Sequence, residues 1–316
     1  MKAAVVNSPG EMPKFQEFAE PTVEDGEVLV HVRAAGLHPV VKAIASGAHY
    51  AASGTGPMIP GVDGVGTLED GTRVYFGGAR KPWGTMAELA AVPRSMYIPL
   101  PDAIDDSTAA AVANPGMSAW VSMKFRAGLE AGERVLILGA TGVAGQLAIQ
   151  VARELGAKRV IAAGRNVDAL RNANVDGVIA LTQPEADLRE AFVAEAVAGI
   201  DVVIDYLWGR PTELLLDALA SGFHMDSTHR TRLVEVGQSA GPTITLPASI
   251  LRSIDLTVLG SGFGSASMDE IFAAIPRLFA LAASGALKIN VVPVPLSDVE
   301  SAWSRSDKGR RIVFTP

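Results

Sequence analysis

The chain of 316 residues has no cysteine, and that one absence excludes disulfides, thiolate zinc sites, iron–sulfur clusters and cysteine nucleophiles together. Basic residues are in deficit: 27 Lys and Arg stand against 34 Asp and Glu, a net charge of −7. No run of Lys or Arg concentrates what there is, so nucleic acid is not expected as a partner, because phosphate backbones need a dense basic face. No window approaches about 18 uninterrupted apolar residues, and no membrane partner is expected. The opening MKAAVVNSPGEMPKF has no signal-peptide core, which makes a cytoplasmic protein the expectation.

What is present is an ordinary globular composition, 48% hydrophobic and 19% charged. The length exceeds what a single core usually organises, so two domains are expected. The first third is rich in Gly, Pro and short β-branched runs. EVLVHVRAAG, GVGTLEDGTRVYFG and GTMAELAAVP read as short strands joined by turns, an irregular, barrel-like β domain. From about residue 114 the pattern changes. Continuous apolar runs at 134–140, 159–164, 175–181, 201–208, 232–237 and 255–261 suit strands buried on both faces of a parallel sheet. Helical segments fall between them at 143–155, 166–173, 184–197 and 211–220. In the first of these, Ala144, Leu147, Ala148, Val151, Ala152 and Leu155 recur at three- and four-residue steps and give one apolar face. The class is α/β, with a doubly wound Rossmann sheet over 114–261. The tail holds a long amphipathic helix, a strand, a second helix and a final strand RRIVFTP, and these are expected to complete the first domain (1–113 with 262–316).

The stretch LILGATGVAGQLAIQVAREL is a strand, a glycine turn and a helix that opens out of the turn. Gly142 would let the backbone approach a pyrophosphate, and Gly145 would let the helix pack closely on the sheet. The first helical N–H groups, around Thr141, Gly142, Val143 and Ala144, would face the anion. Ala140 stands where the strict G-x-G-x-x-G pattern has glycine. At the end of the second strand, where NAD-binding proteins carry Asp or Glu for the ribose 2′-hydroxyl, the chain reads Gly164-Arg165-Asn166. No carboxylate repels a 2′-phosphate there, and Arg165 offers a planar fork to bind one. NADPH is the expected cofactor.

These features resemble the zinc-free branch of the medium-chain dehydrogenase/reductases, and within it the quinone oxidoreductase (zeta-crystallin-like) group. The likeness covers essentially the whole chain and rests on MKAAVV, AAGLHPVVKAIASG, IPGVDGVG, NPGMSAW, GERVLILGATGVAGQLAIQVARELGA, DVVIDYLWG and LGSGFG. It implies a GroES-like β-rich domain beside the Rossmann domain, and a homodimer joined edge to edge through Rossmann sheets, with the strand near 255–260 as a candidate edge. The zinc branch carries Cys and His where this chain has His38 and Val62, and one isolated histidine cannot hold a catalytic zinc; no metal is expected. The group's G-V-N-P-V-D becomes GLHPVV here, with His38 for Asn and Val41 for Asp. Tyr50 matches the family tyrosine lining the substrate cleft. Ser118 sits where a small hydroxyl lies near the nicotinamide, and Gly237, Gln238, Ser261 and Gly262 are implied along the nicotinamide ribose.

Hydride transfer to a simple ketone leaves an alkoxide that needs a metal or strong acid. Without zinc, acceptors whose conjugation spreads the developing charge are favoured. The expected reaction is NADPH-dependent reduction of a small-molecule quinone or an α,β-unsaturated carbonyl, with His38 or Tyr50 bonding the acceptor oxygen or relaying a proton. Two alternatives stay open: an enoyl-thioester reductase, because NPGMSAW resembles the N-P-x-T-A-Y stretch of that relative, and a non-catalytic NADPH-binding sensor. Two other patterns lead nowhere. Gly237-Gln238-Ser239-Ala240-Gly241 matches G-x-S-x-G, but the last histidine, His229, precedes Ser239 in the chain, against the order that fold requires. A Tyr-x-x-x-Lys pair is also absent, since Gly54, Ala79, Pro101 and Arg210 lie four beyond the tyrosines.

Overall fold

Short strands build the start of the chain in the computed structural model, which describes residues 1–221 and 229–316. They are β1 (Lys2–Val5), β2 (Lys14–Glu17) and β3 (Glu27–Gly36), then helix α1 (Pro39–Ala45), then β4 (Asp63–Thr67), β5 (Arg73–Gly77), β6 (Leu89–Pro93) and β7 (Tyr97–Pro99). Helix α2 (Asp106–Trp120) runs into a π-helical turn at Val121–Arg126. Strand and helix then alternate: β8 (Arg134–Leu138), α3 (Val143–Glu154), β9 (Arg159–Gly164), α4 (Val167–Arg171), β10 (Gly177–Ala180), α5 (Glu185–Ala198), β11 (Val202–Asp205) and α6 (Gly209–Ser221). After it come β12 (Arg230–Glu235), α7 (Ala248–Ser253), β13 (Asp255–Gly260), α8 (Met268–Ala283), β14 (Val291–Pro295), α9 (Val299–Trp303) and β15 (Arg311–Thr315).

The chain divides into two compact units, Met1–Asn114 with Pro276–Pro316, and Pro115–Ile275. In the first, seven strands form a mixed sheet in the order β14-β15-β3-β4-β5-β7, with β6 paired to the other part of β3, and β1-β2 form a separate ribbon. Ala4, Val5, Ile59, Met86 and Phe314 are buried in its core. In the second, six strands pair in parallel in the order β10-β9-β8-β11-β12-β13. That order reverses direction between β8 and β11, which makes a Rossmann switch point at their carboxyl ends. Val135, Leu136, Ile137 and Leu138 are all fully buried, as expected of a strand covered on both faces. Leu147, Ala148, Val151 and Ala152 supply the buried face of α3. Among the described residues, no helix is long and apolar enough to cross a membrane.

Three expectations from sequence change. The run 201–208 ends as a strand at Asp205, because the Asp205 carboxylate accepts the Leu207 and Trp208 N–H groups at 2.8 and 2.9 Å and closes a turn. Helix α2 was not expected, since Pro115 and Gly116 lie inside it and proline removes a helical hydrogen bond. Residues 262–275 fall in the second unit rather than the first. Ser261 N donates to Glu235 O, and Arg126 Nε donates to Gly260 O, so the start of this segment is tied to the Rossmann sheet. Both divisions of the chain fall at a helix-internal proline, Pro115 in α2 and Pro276 in α8.

Phe192 on α5 is fully buried among Leu136, Ile161, Leu188 and Leu214. Phe192→Ala is expected to destabilise the second unit by about 3–5 kcal/mol through lost burial and a cavity. Urea unfolding followed by far-UV circular dichroism checks this, and a loss below about 1 kcal/mol would contradict the described packing.

Candidate functional site

The glycine turn after β8 is drawn together by the absence of side chains. A Cβ on Gly145 would collide with the Gly139 carbonyl and lie 2.6 Å from Ala140 Cα, so α3 reaches the sheet only because position 145 has none. Gly139 adopts φ +86°, a left-handed conformation that favours glycine. Ala140 is 1% exposed and is not among the positive-φ residues, so its methyl is accommodated where the strict motif has glycine. Gly142 is the N-cap of α3 and offers no side-chain cap. The first N–H groups of the helix, on Val143 and Ala144, therefore keep the free valence that draws anions. A Cβ there would meet nothing nearer than Gly139 O at 3.4 Å, so the space over the turn is open. Gln146 Nε2 steadies the turn by donating to Thr141 O at 3.1 Å.

The end of β9 lies against this turn. Gly139 N and Ala140 N both donate to Ala163 O, at 2.9 and 3.0 Å, and a Cβ on Gly164 would lie 2.8 Å from Thr141 Cγ2. Arg165 and Asn166 follow, both exposed. The Asn166 side chain accepts from Ala169 N at 3.2 Å and caps α4. Arg165 makes no ion pair with a described residue, unlike Arg153, Arg159 and Arg189 of the same unit. These residues fit a phosphorylated dinucleotide: glycine contacts too close for any side chain, uncapped helical N–H groups and an unengaged guanidinium occupy one edge of the sheet.

The remaining expected residues of this unit cluster at the ends of β11, β12 and β13. Gly237 N donates to Asp205 O at 3.2 Å, and a Cβ on Gly237 would lie 3.2 Å from Tyr206 O. Gln238 is exposed and accepts from Gly241 N through its carbonyl. Ser261 is half-buried and Gly262 exposed, with Gly262 N donating to Ser265 Oγ at 2.6 Å. Ser118 is half-buried on α2. Two residues that sequence reasoning missed connect them. Ser122 donates to Ser118 O at 2.6 Å and pairs with Ser261 Oγ at 2.9 Å. Tyr206 stands between Gly139 and Gly237. Ser239 of the G-x-S-x-G pattern donates its hydroxyl to Tyr206 O at 2.8 Å and so serves the backbone.

His38 and Tyr50 belong to the first unit and occupy opposite environments. Tyr50 is 71% exposed and stacks on His49 with ring centroids 4.1 Å apart. His38 is 1% exposed at the N-cap of α1. Its Nε2 lies 3.2 Å from Asp63 Oδ1, at a geometry that completes no hydrogen bond. Asp63 in turn accepts from the buried Tyr75 hydroxyl at 2.8 Å, and buried Arg311 donates to Leu37 O at 2.6 Å. None of Asp63, Tyr75 and Arg311 was anticipated, since their meeting depends on sheet pairing rather than on any local motif. Burial holds His38 below its ordinary pKa; Asp63 pulls the other way and Arg311 reinforces the depression. Burial also raises Tyr75 well above its ordinary value and lowers Arg311 to about 10. Among the described residues, no three His, Asp or Glu side chains gather as a metal site.

A Rossmann unit interleaved in sequence with a mixed β unit is the architecture of a medium-chain dehydrogenase/reductase. A probable NADPH-dependent quinone reductase of Emericella nidulans is 28% identical to this chain over 96% of both lengths. The quinone oxidoreductase of Thermus thermophilus, also solved with NADPH, superposes with a TM-score of 0.80 over all of both chains at 29% identity. A spectinabilin polyketide synthase of Streptomyces orinoci is 31% identical over 88% of this chain, which spans 12% of that protein. No family model matches. Over its whole length the chain is similar to quinone oxidoreductases of the medium-chain dehydrogenase/reductase type.

Because His38 is held neutral in the folded protein, the unfolded chain takes up a proton first as pH falls through about 6.5. The stability that His38 contributes is present above that value and is lost below it, toward the depressed folded pKa. The urea midpoint is expected to fall between pH 7.5 and 5.5, and to fall less in His38→Asn. Equal slopes in the two proteins would contradict the buried, neutral imidazole.

Proposed function

We propose that this protein is an NADPH-dependent, metal-independent reductase of quinones or α,β-unsaturated carbonyls. The observation that carries the reading is the close approach of Gly145 to the Gly139 carbonyl and of Gly164 to Thr141, with Arg165 one residue beyond Gly164. The similarity to the fungal quinone reductase and to the Thermus enzyme supports it from outside. In this reading the Val143 and Ala144 N–H groups hold the pyrophosphate over the turn formed by Thr141 and Gly142, and Arg165 pairs with the 2′-phosphate beside Gly164 and Asn166. Ser118, Gly237, Gln238, Ser261 and Gly262 border the nicotinamide ribose. When bound, the reduced nicotinamide supplies a hydride.

The side chains have modest tasks. With an acceptor whose conjugation disperses negative charge, the protein needs to orient reactants and exclude water more than to stabilise an isolated alkoxide. Tyr50, 71% exposed, is the hydroxyl proposed to meet the acceptor oxygen. His38 is proposed to act as a neutral imidazole set against Asp63, a hydrogen-bonding group rather than a store of protons at neutral pH. A homodimer is part of the proposal: β13 ends the sheet with one side unpaired by any described strand, and Val258 on it is 38% exposed. The match to polyketide synthases supports a second reading, reduction of enoyl thioesters.

Fluorescence titration is expected to show NADPH bound far more tightly than NADH. Arg165→Ala should remove about 10- to 100-fold of the NADPH affinity, as expected for a charge-assisted pair, and leave NADH nearly unchanged. A wild-type preference for NADH would overturn the cofactor assignment. Oxidation of NADPH by 9,10-phenanthrenequinone, 1,4-benzoquinone or a small enal should persist after dialysis against a chelator. Turnover of crotonyl-pantetheine alone would favour the thioester reading instead.

A further inference from the structure

The loop between β11 and α6 is held in an unusual way. Asp205, fully buried, accepts from Leu207 N and Trp208 N, and from the Thr212 hydroxyl at 2.5 Å. Trp208 adopts φ 55°, the one non-glycine residue with a positive φ among those described, a conformation that costs about 1 kcal/mol or more in a bulky residue. The loop after β12 is laced to it from the other side. Val236 N and Gly237 N donate to Asp205 O, Ser239 donates to Tyr206 O, and Ala240 N donates to Leu207 O at 2.7 Å. Tyr206 is thus pinned from both flanks, and its Cβ faces Gly139 of the nucleotide turn.

At the centre of this construction is a buried polar atom. The Tyr206 hydroxyl oxygen is buried and completes no hydrogen bond among the described residues. Ser118 is near enough to offset part of the upward push that burial gives the phenol, but the two do not complete a bond. A buried hydroxyl left unpaired is destabilising, so such groups are rare without a ligand or water to satisfy them. The α2 helix that carries Ser118 continues into a π-helical turn, where Ser122 links Ser118 O to Ser261 Oγ. π-turns of this kind recur at functional sites. Tyr206 also follows β11, on the far side of β8 from Arg165. A dinucleotide laid across the switch point with its 2′-phosphate at Arg165 places its other mononucleotide over β11 and β12.

We propose that Tyr206 is a cofactor-positioning residue whose hydroxyl bonds a ribose hydroxyl on the nicotinamide side of NADPH. This rests on the dinucleotide reading above. It gives the pinned loop a purpose: the phenol is set before the ligand arrives, so little ordering is needed on binding.

Tyr206→Phe tests it, read by binding rather than turnover. The dissociation constants of NADPH, 2′-phospho-ADP-ribose and 2′,5′-ADP are measured for the wild type, Tyr206→Phe and Arg165→Ala. Tyr206→Phe is expected to weaken NADPH and 2′-phospho-ADP-ribose by about three- to tenfold, one neutral hydrogen bond, and to leave 2′,5′-ADP unchanged. Arg165→Ala should weaken all three. A loss confined to NADPH would move the contact to the nicotinamide ring, and an equal loss for 2′,5′-ADP would make Tyr206 a structural residue; either overturns the proposal. Unchanged affinities in Tyr206→Phe, with NADPH still weakened by Arg165→Ala, would overturn it while sparing the dinucleotide reading. Failure of the wild type to bind NADPH removes both. The melting temperature of ligand-free Tyr206→Phe should equal or exceed the wild type, because the hydroxyl has no partner among the described residues to lose. A drop of several degrees would show that it has one.

Discussion

The passage of the Gly145 backbone across the Gly139 carbonyl is the contact on which the second unit depends. It sets how near α3 comes to β8, and hence which backbone amides crown the carboxyl edge of the sheet. Two further close approaches build on it. Gly164 brings the end of β9 against Thr141, and Gly237 brings the end of β12 against Tyr206. Three strand ends converge because three positions carry no side chain. Apolar burial makes the sheet stable, but these glycine contacts decide its upper rim.

How much of this was legible in the sequence depended on whether the signal was local. The six strands of the parallel sheet announced themselves as apolar runs, although the edge strand β13 carries no buried residue, and β9 spans the same residues as its run, Arg159–Gly164. The glycine turn was legible for the same reason, since strand, turn and helix lie within some twenty consecutive residues. Hydrophobicity misled where a polar atom decided the outcome. The run through Leu207 and Trp208 continues to look like a strand, but the Asp205 carboxylate captures their amides and turns the chain. Helix α2 was hidden by Pro115 and Gly116, because its buried alanines outweigh the poor propensity of those two residues.

The first unit shows the complementary limit. His38 stood out as an unusual residue, but its partners come from β4, β5 and β15, far apart in the chain. Burying an imidazole, a carboxylate, a phenol and a guanidinium close together is costly unless their charges and hydrogen bonds compensate. Here the imidazole gives up its charge, the phenol donates to the carboxylate, and the guanidinium reaches a backbone carbonyl. Tyr206 escaped notice for a related reason: only the folded loop reveals that its hydroxyl lacks a partner among the described residues.

The two prolines that mark the junctions have a practical consequence for anyone dissecting the chain. A fragment cut at Asn114 and Ile275 would begin and end inside helices, exposing severed turns whose amides and carbonyls had been paired. Boundaries moved outward to Asp105 and Gly285 keep α2 and α8 whole, with Asp105 accepting Thr108 N at 2.9 Å and Gly285 closing the last turn through Ala282 O at 3.0 Å. A nucleotide-binding fragment for crystallisation or spectroscopy is therefore better defined by its helix caps than by its domain borders.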